Sequence, residues 1–262
     1  MDAASNTGRR SGAARTVASR LLACGVLSAA WLGCTAPARH TIAPGHEGAP
    51  GVRRVLVCSP NLVVALPVEL TEAVVRVEQE LVAALEAREL EVERLELREG
   101  HQRWREAAAE ARRQGAKDAA APFVQGLAAE REFDALLMPA LLLFNVRVTD
   151  SSGTWDGVRR RLATVNQPSL GGGGSADTFT KGVVYGGVTG DVLATSLHVL
   201  VFSRDGQRIY EGRGGLDFVQ EADLADAHTL RWELRAKYRL LHDPELLRQG
   251  IDIALSPYLG SR

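Results

Sequence analysis

The sequence predicts an α/β fold: a mixed sheet with a βαβα start, antiparallel hairpins, and C-terminal helices packed on it. Three observations predict it. "VLVCSP" (Val55–Pro60) is a continuous apolar run, the pattern of a strand covered on both faces. The segment after it repeats apolar residues at helical spacing, and "LEVERLEL" then returns to strand character, which completes a βαβ unit. Beyond residue 133 the apolar stretches are separated by turn clusters, the signature of hairpins.

The elements follow in order. In "LPVELTEAVVRVEQELVAALEAR", Pro67 suits a first helical turn, and Leu70, Val74, Val77, Leu81 and Leu85 form one apolar stripe. The next strand alternates Leu90 and Val92 and, after one slip, Leu95 and Leu97. A charged, Ala-rich stretch from His101 reads as two helical pieces broken at Gly115 and Pro122. "FDALLMPALLLFNVRVTD" reads as a long strand, "SSGTWDG" as a turn cluster, and "VRRRLATV" as its hairpin partner. "DVLATSLHVLVFSRDGQRIYEGRGGLDFV" is a second hairpin around Asp205-Gly206, a favoured turn pair. Gly212–Gly215 ("GRGG") reads as a place of close backbone packing or a bulge. Two helices are expected to close the chain. The last has Asp243 as N-cap, Pro244 at its first position, and an apolar face of Leu247, Ile251, Ala254 and Tyr258.

Of the 262 residues, 45% are hydrophobic and 24% charged, and the net charge is -1. That is ordinary globular composition. The charge is unevenly placed. Residues 1–33 hold Arg9, Arg10, Arg15 and Arg20 against Asp2, which leaves 27 basic and 31 acidic residues, net -4, in the remainder. A mildly acidic body argues against a nucleic-acid partner, because phosphate binding needs concentrated Lys and Arg. The one dense basic run, Arg159-Arg160-Arg161, falls in an expected strand and reads as a solvated strand end.

After the basic N-terminal region comes an apolar segment, Leu21–Leu32, too short for the ~20-residue helix that spans a bilayer. Its length and flanks are those of a secretory signal peptide. The ending "WLGC" resembles the bacterial lipobox. Gly33 and Cys34 match its last two positions, while Trp31 stands where that pattern prefers Leu and Leu32 where it prefers a small residue. "LLAC", ending at Cys24, follows Arg20 too closely to leave an apolar region. The resemblance implies cleavage before Cys34, a thioether-linked diacylglycerol and an N-acyl chain on that cysteine, and, with Thr35 rather than Asp next, retention at the outer membrane facing the periplasm. Two or more acyl chains anchor stably where one is marginal.

The expected organisation is therefore a signal peptide over 1–33, a flexible tether rich in Pro, Gly and Ala over 34–53, and a single α/β domain over 54–262. That domain carries a glycine-rich insertion at 166–190, a length of loop that is usually functional or disordered. Its run Gly171–Gly174 lacks the spacing and the Lys-Ser/Thr of a phosphate loop and reads as a linker.

Motifs for catalysis, metals and cofactors are missing from the sequence. The histidines (His40, His46, His101, His198, His228, His242) never pair at HxH or HxxxH spacing, and no CxxC occurs, so no metal or haem site is expected. There is no GxSxG elbow, which leaves Ser59 and Ser196 as ordinary serines. With Cys24 removed and Cys34 acylated, Cys58 stays single and reads as core packing. His198 alternates within a strand and reads as structural. Trp155, at a hairpin tip, reads equally as an exposed aromatic or a packed loop residue.

The lipobox, the tether, and the sequence from "VLVCSP" to "DALLMPALLLF" resemble a class of bacterial periplasmic α/β lipoproteins that includes the curli-secretion lipoprotein and the Tol-associated N-terminal α/β domain. The likeness covers residues 54–165 and the closing helix; the 166–190 insertion departs from it. It implies a non-enzymatic envelope protein without cofactor, tied to the membrane through Cys34 and binding or scaffolding an envelope protein partner. The alternative is a periplasmic hydrolase with its site at the carboxyl ends of the parallel strands, floored by Ser59-Pro60-Asn61.

Overall fold

A computed structural model of the chain describes residues 37–46, 51–63, 66–165, 187–226 and 231–260. Its strands and helices, in chain order, are β1 (Arg39–Ile42), β2 (Arg54–Cys58), a short 3-10 turn (Val68–Leu70), α1 (Thr71–Glu86), β3 (Glu91–Leu95), α2 (Leu97–Arg113), α3 (Ala120–Glu130), β4 (Ala135–Thr149), β5 (Ser152–Trp155), β6 (Val158–Arg161), β7 (Thr164–Val165), β8 (Gly190–Ser203), β9 (Arg208–Phe218), β10 (Gln220–Asp226), β11 (Arg231–Ala236) and α4 (Pro244–Leu259).

The main sheet runs β1-β9-β8-β4-β2-β3, with β5 and β6 extending it from the end of β4. β2 lies parallel to both β3 and β4; the other pairings are antiparallel. This is the mixed sheet with a βαβα start that the apolar patterning predicts. Asp134 fixes the parallel start: its carboxylate accepts from the backbone N–H of Arg53 and of Arg54, both at 2.8 Å. Those two bonds hold its carboxyl below the usual range, that of Arg54 most.

One sheet face carries α1 and α4 over Val57, Leu137, Leu141, Leu197, Val199 and Leu216. The other carries α2 and α3, with Phe123, Val124 and Leu127 over Leu56, Cys58, Leu136 and Phe202. The β5–β6 hairpin covers a third cluster: Val146, Val148, Val192, Ala194 and Phe218. α4 forms as its sequence dictates. Asp243 accepts from the backbone N–H of Glu245 (2.9 Å) and of Leu246 (3.3 Å), and Leu247, Ile251, Ala254 and Tyr258 are all buried.

Several expectations need correction. The stretch read as a tether over 34–53 contains β1, which pairs with β9 from Arg39↔Arg213 to Ile42↔Tyr210. The exposed edge of β9 supplies backbone partners, and Ile42 packs on the main core, so a Pro- and Gly-flanked segment becomes a strand. Most of the expected insertion, 166–186, lies outside the described residues, but its end is structural. Val188 is buried, its N–H bonds the Ser151 hydroxyl at 3.0 Å, and Gly190 begins β8.

The first of the two expected closing helices is instead the hairpin β10–β11. Arg235 ties it across the strands to Glu221 (2.9 Å) and Asp223 (3.0 Å). β6 pairs with β5 rather than with the long strand, because positive φ at Asp150 and Ser151 and again at Asp156 and Gly157 makes two tight turns. Leu97 opens α2 instead of ending β3, and Pro122 sits in the first turn of α3, where its missing N–H costs nothing.

Candidate functional site

Polar side chains gather at three places, the first at the carboxyl ends of the parallel strands. β2 ends at Cys58, which packs in the core against α3 and Leu136. Burial pushes its thiol far up, so it stays a protonated core residue. The Ser59 hydroxyl donates to the Leu95 carbonyl at 3.4 Å. Asn61 adopts φ 60° and uses both ends of its amide on one backbone position: Oδ1 accepts from Leu141 N–H at 2.8 Å, and Nδ2 donates to Leu141 C=O at 3.1 Å. The side chain thereby continues the β2–β4 ladder past the end of β2. Of the expected hydrolase floor, Asn61 thus holds the sheet and Ser59 bonds the β3 backbone, and Val63, Val68 and Leu97 are exposed in the segments that leave the ends of β2 and β3.

The second place is the β8–β9 face between α2–α3 and the β5–β6 hairpin. His198 Nε2 lies 3.0 Å from Glu211 Oε1, and Arg208 reaches the other Glu211 oxygen at 3.2 Å. Burial lowers the His198 pKa; the Glu211 contact opposes that shift and Arg213 reinforces it. Two residues back, Ser196 is buried and donates to Asp156 Oδ2 at 2.8 Å. Asp156, itself buried, sits in the β5–β6 turn, and Gly215 N–H bonds its carbonyl at 2.9 Å. Serine, histidine and aspartate thus come within one region, but the wiring is not that of a nucleophilic triad. The serine bonds the carboxylate directly, and the imidazole serves a different carboxylate. Trp155 resolves to the packed reading: it is buried on Phe218, and its Nε1–H donates to Thr195 C=O at 3.1 Å. Of the basic run, Arg160 is structural, donating to Leu216 C=O and to Gln249, while Arg159 and Arg161 are exposed.

The third place is the N-terminal edge. Arg39 Nε stands 3.5 Å from Asp156 Oδ1, so the buried carboxylate links β1, β8 and the hairpin turn. Ala38 lies beside Gly157 and the exposed side of α4. Sequence reasoning missed Asp156, whose only signal was an Asp-Gly turn pair. Cys34, the one sequence-predicted site residue, lies outside the described residues, four positions before Ala38.

Among the described residues no group of three His, Cys, Asp or Glu side chains could hold a metal ion, and no helix is long and apolar enough to cross a membrane. No family model matches the chain, and no curated protein matches it. Among solved structures, the PelC dodecamer from Paraburkholderia phytofirmans is similar at 12% identity and a TM-score of 0.36, over 86% of this chain and 98% of its own. A likeness at that level carries no functional content.

Proposed function

We propose that the chain is a non-enzymatic lipoprotein of the bacterial envelope, held at the outer membrane by acyl chains on Cys34 and facing the periplasm. Its α/β domain binds or scaffolds another envelope component. The observation that carries this reading is the order of the N-terminal sequence: a basic region, the apolar segment Leu21–Leu32, then Gly33-Cys34 directly ahead of a folded domain. The engagement of Ser59, Asn61, Ser196 and Asp156 in packing supports it, since each is bonded to a neighbour within the fold.

Membrane fractionation tests the reading. The native chain should pellet with outer membranes, and Cys34→Ser should move it to the soluble fraction. A stable envelope protein should co-purify with the detergent-extracted chain. Covalent labelling of Ser59 or Cys58 by a hydrolase activity probe would instead carry the hydrolase alternative.

A further inference from the structure

We propose that β1 is a clasp that shortens the membrane leash and turns the β1–α4 corner of the domain toward the lipid headgroups. The inference rests on the anchor proposed above. From Cys34 to Arg54, where the sequence alone places the start of the domain, the chain has twenty residues; from Cys34 to Arg39, where β1 begins, it has five. At ~3.6 Å per extended residue the first leash reaches about 70 Å and the second about 18 Å. A domain of this size has a radius of gyration of about 17 Å, so the short leash is less than the domain is wide. A twenty-residue leash permits tumbling; a five-residue leash fixes which side faces the anchor.

Four features hold the clasp shut. β1 pairs with β9 over its whole length, and Ala43 N–H extends the pairing to Ile209 C=O at 2.9 Å. Ile42 packs on the main core. Arg39 pairs with Asp156. Ala38 rests near Gly157, where an added methyl would stand 3.4 Å from the Ala38 Cβ.

The surface presented is mixed, with charges of both signs. Around Ala38 lie Glu245, Arg248, Asp252, Ile253, Ser256 and Pro257. The Arg39 and Arg248 side chains are 74% and 59% exposed. Asp252 is engaged by Arg88 at 2.8 Å. None of the exposed large apolar side chains among the described residues (Val63, Val68, Val75, Leu97, Leu193, Leu234, Tyr238) lines this corner. Arg39 and Arg248, the latter also paired with Glu80 at 3.2 Å, are the cations this corner offers to phosphate headgroups, beside the carboxylates of Glu245 and Asp252.

Energy transfer tests the clasp. A fluorescent non-natural amino acid is placed at position 256, beside Ala38, or at position 91, on the far edge strand β3. The membrane-extracted chain is reconstituted in phosphatidylethanolamine–phosphatidylglycerol vesicles carrying a headgroup acceptor. Transfer should be several-fold stronger from 256 than from 91. A twenty-residue Gly-Ser insertion between Thr35 and Ala36, which leaves β1 untouched, should abolish the contrast, and Ile42→Asp should do the same by peeling β1. A contrast that survives the insertion would overturn the proposal. In a parallel arm a maleimide lipid is coupled to Cys34 of the unacylated Cys24→Ser chain. A contrast there, but not in the native chain, would uphold the clasp and reject acylation of Cys34; no contrast in either arm would reject the clasp.

Discussion

Gly214 of β9 and Gly250 of α4 meet backbone to backbone. A methyl group on Gly214 would overlap the Gly250 carbonyl oxygen, and one on Gly250 would stand 2.5 Å from the Gly215 carbonyl oxygen. The helix therefore lies directly on the strand. Tyr210 fixes the same contact by donating its hydroxyl to the Ala254 carbonyl. Gly214→Ala and Gly250→Ala should each cost about 1–3 kcal/mol or more, because backbone and not a flexible side chain must move. Chemical denaturation measures it; a loss below about 0.5 kcal/mol for both variants would show that the helix can lift freely.

The closing helix belongs to the domain. Leu247, Ile251 and Tyr258 are each at most 2% exposed, and full burial of one such side chain contributes about 1.5–3 kcal/mol. Ile251→Asp and truncation at His242 should both yield aggregating or protease-sensitive protein. A 35–242 fragment that melts cooperatively at an unchanged midpoint would make α4 an appendage.

Much of this was legible in the sequence, where one local rule decides the outcome. Asp243 and Pro244 announce the start of α4, a 3.6-residue stripe announces its buried face, and "GRGG" announces a close approach. What was illegible depends on partners distant in sequence. Arg39–Ile42 has a single large apolar residue and becomes a strand only because β9 offers an edge. Residues 220–236 alternate charge in a way that serves helix or strand, and the pairing of Arg235 with Glu221 and Asp223 selects the strand. Asp156 gains its buried partners Ser196 and Arg39 only when the hairpin folds over β8 and β9. Cys34 is the opposite case: its proposed role as the anchor rests wholly on its immediate neighbours in the sequence.

Deletion of residues 168–186 with a short Gly-Ser joint should leave the thermal midpoint within a few degrees, since loop length costs only about 0.6 kcal/mol per doubling. Val188→Asp, two residues beyond, should lower it clearly, because that side chain is 8% exposed within the cluster under the hairpin. A collapse on deletion, or tolerance of Val188→Asp, would reverse this boundary.

Burial lowers the His198 pKa in the folded chain, whereas the unfolded chain takes up its proton near 6.5. The unfolded state therefore binds more protons just below that pH, and stability falls as the pH falls through it; above about 6.5 the contribution is fully in place. Glu211, Arg208 and Arg213 are the charged groups around the imidazole. His198→Gln should flatten the dependence of the thermal midpoint on pH below 6.5. An unchanged slope would show that other groups set it.

The mass of the mature N-terminus tests the account most directly. The chain purified from its own membranes should begin at Cys34 and carry a diacylglyceryl group and an N-acyl chain, and Cys34→Ser should lack both. A native chain that retains residues 1–33, or that begins at Thr35 or beyond without lipid, would contradict the lipid anchor on which the envelope reading stands.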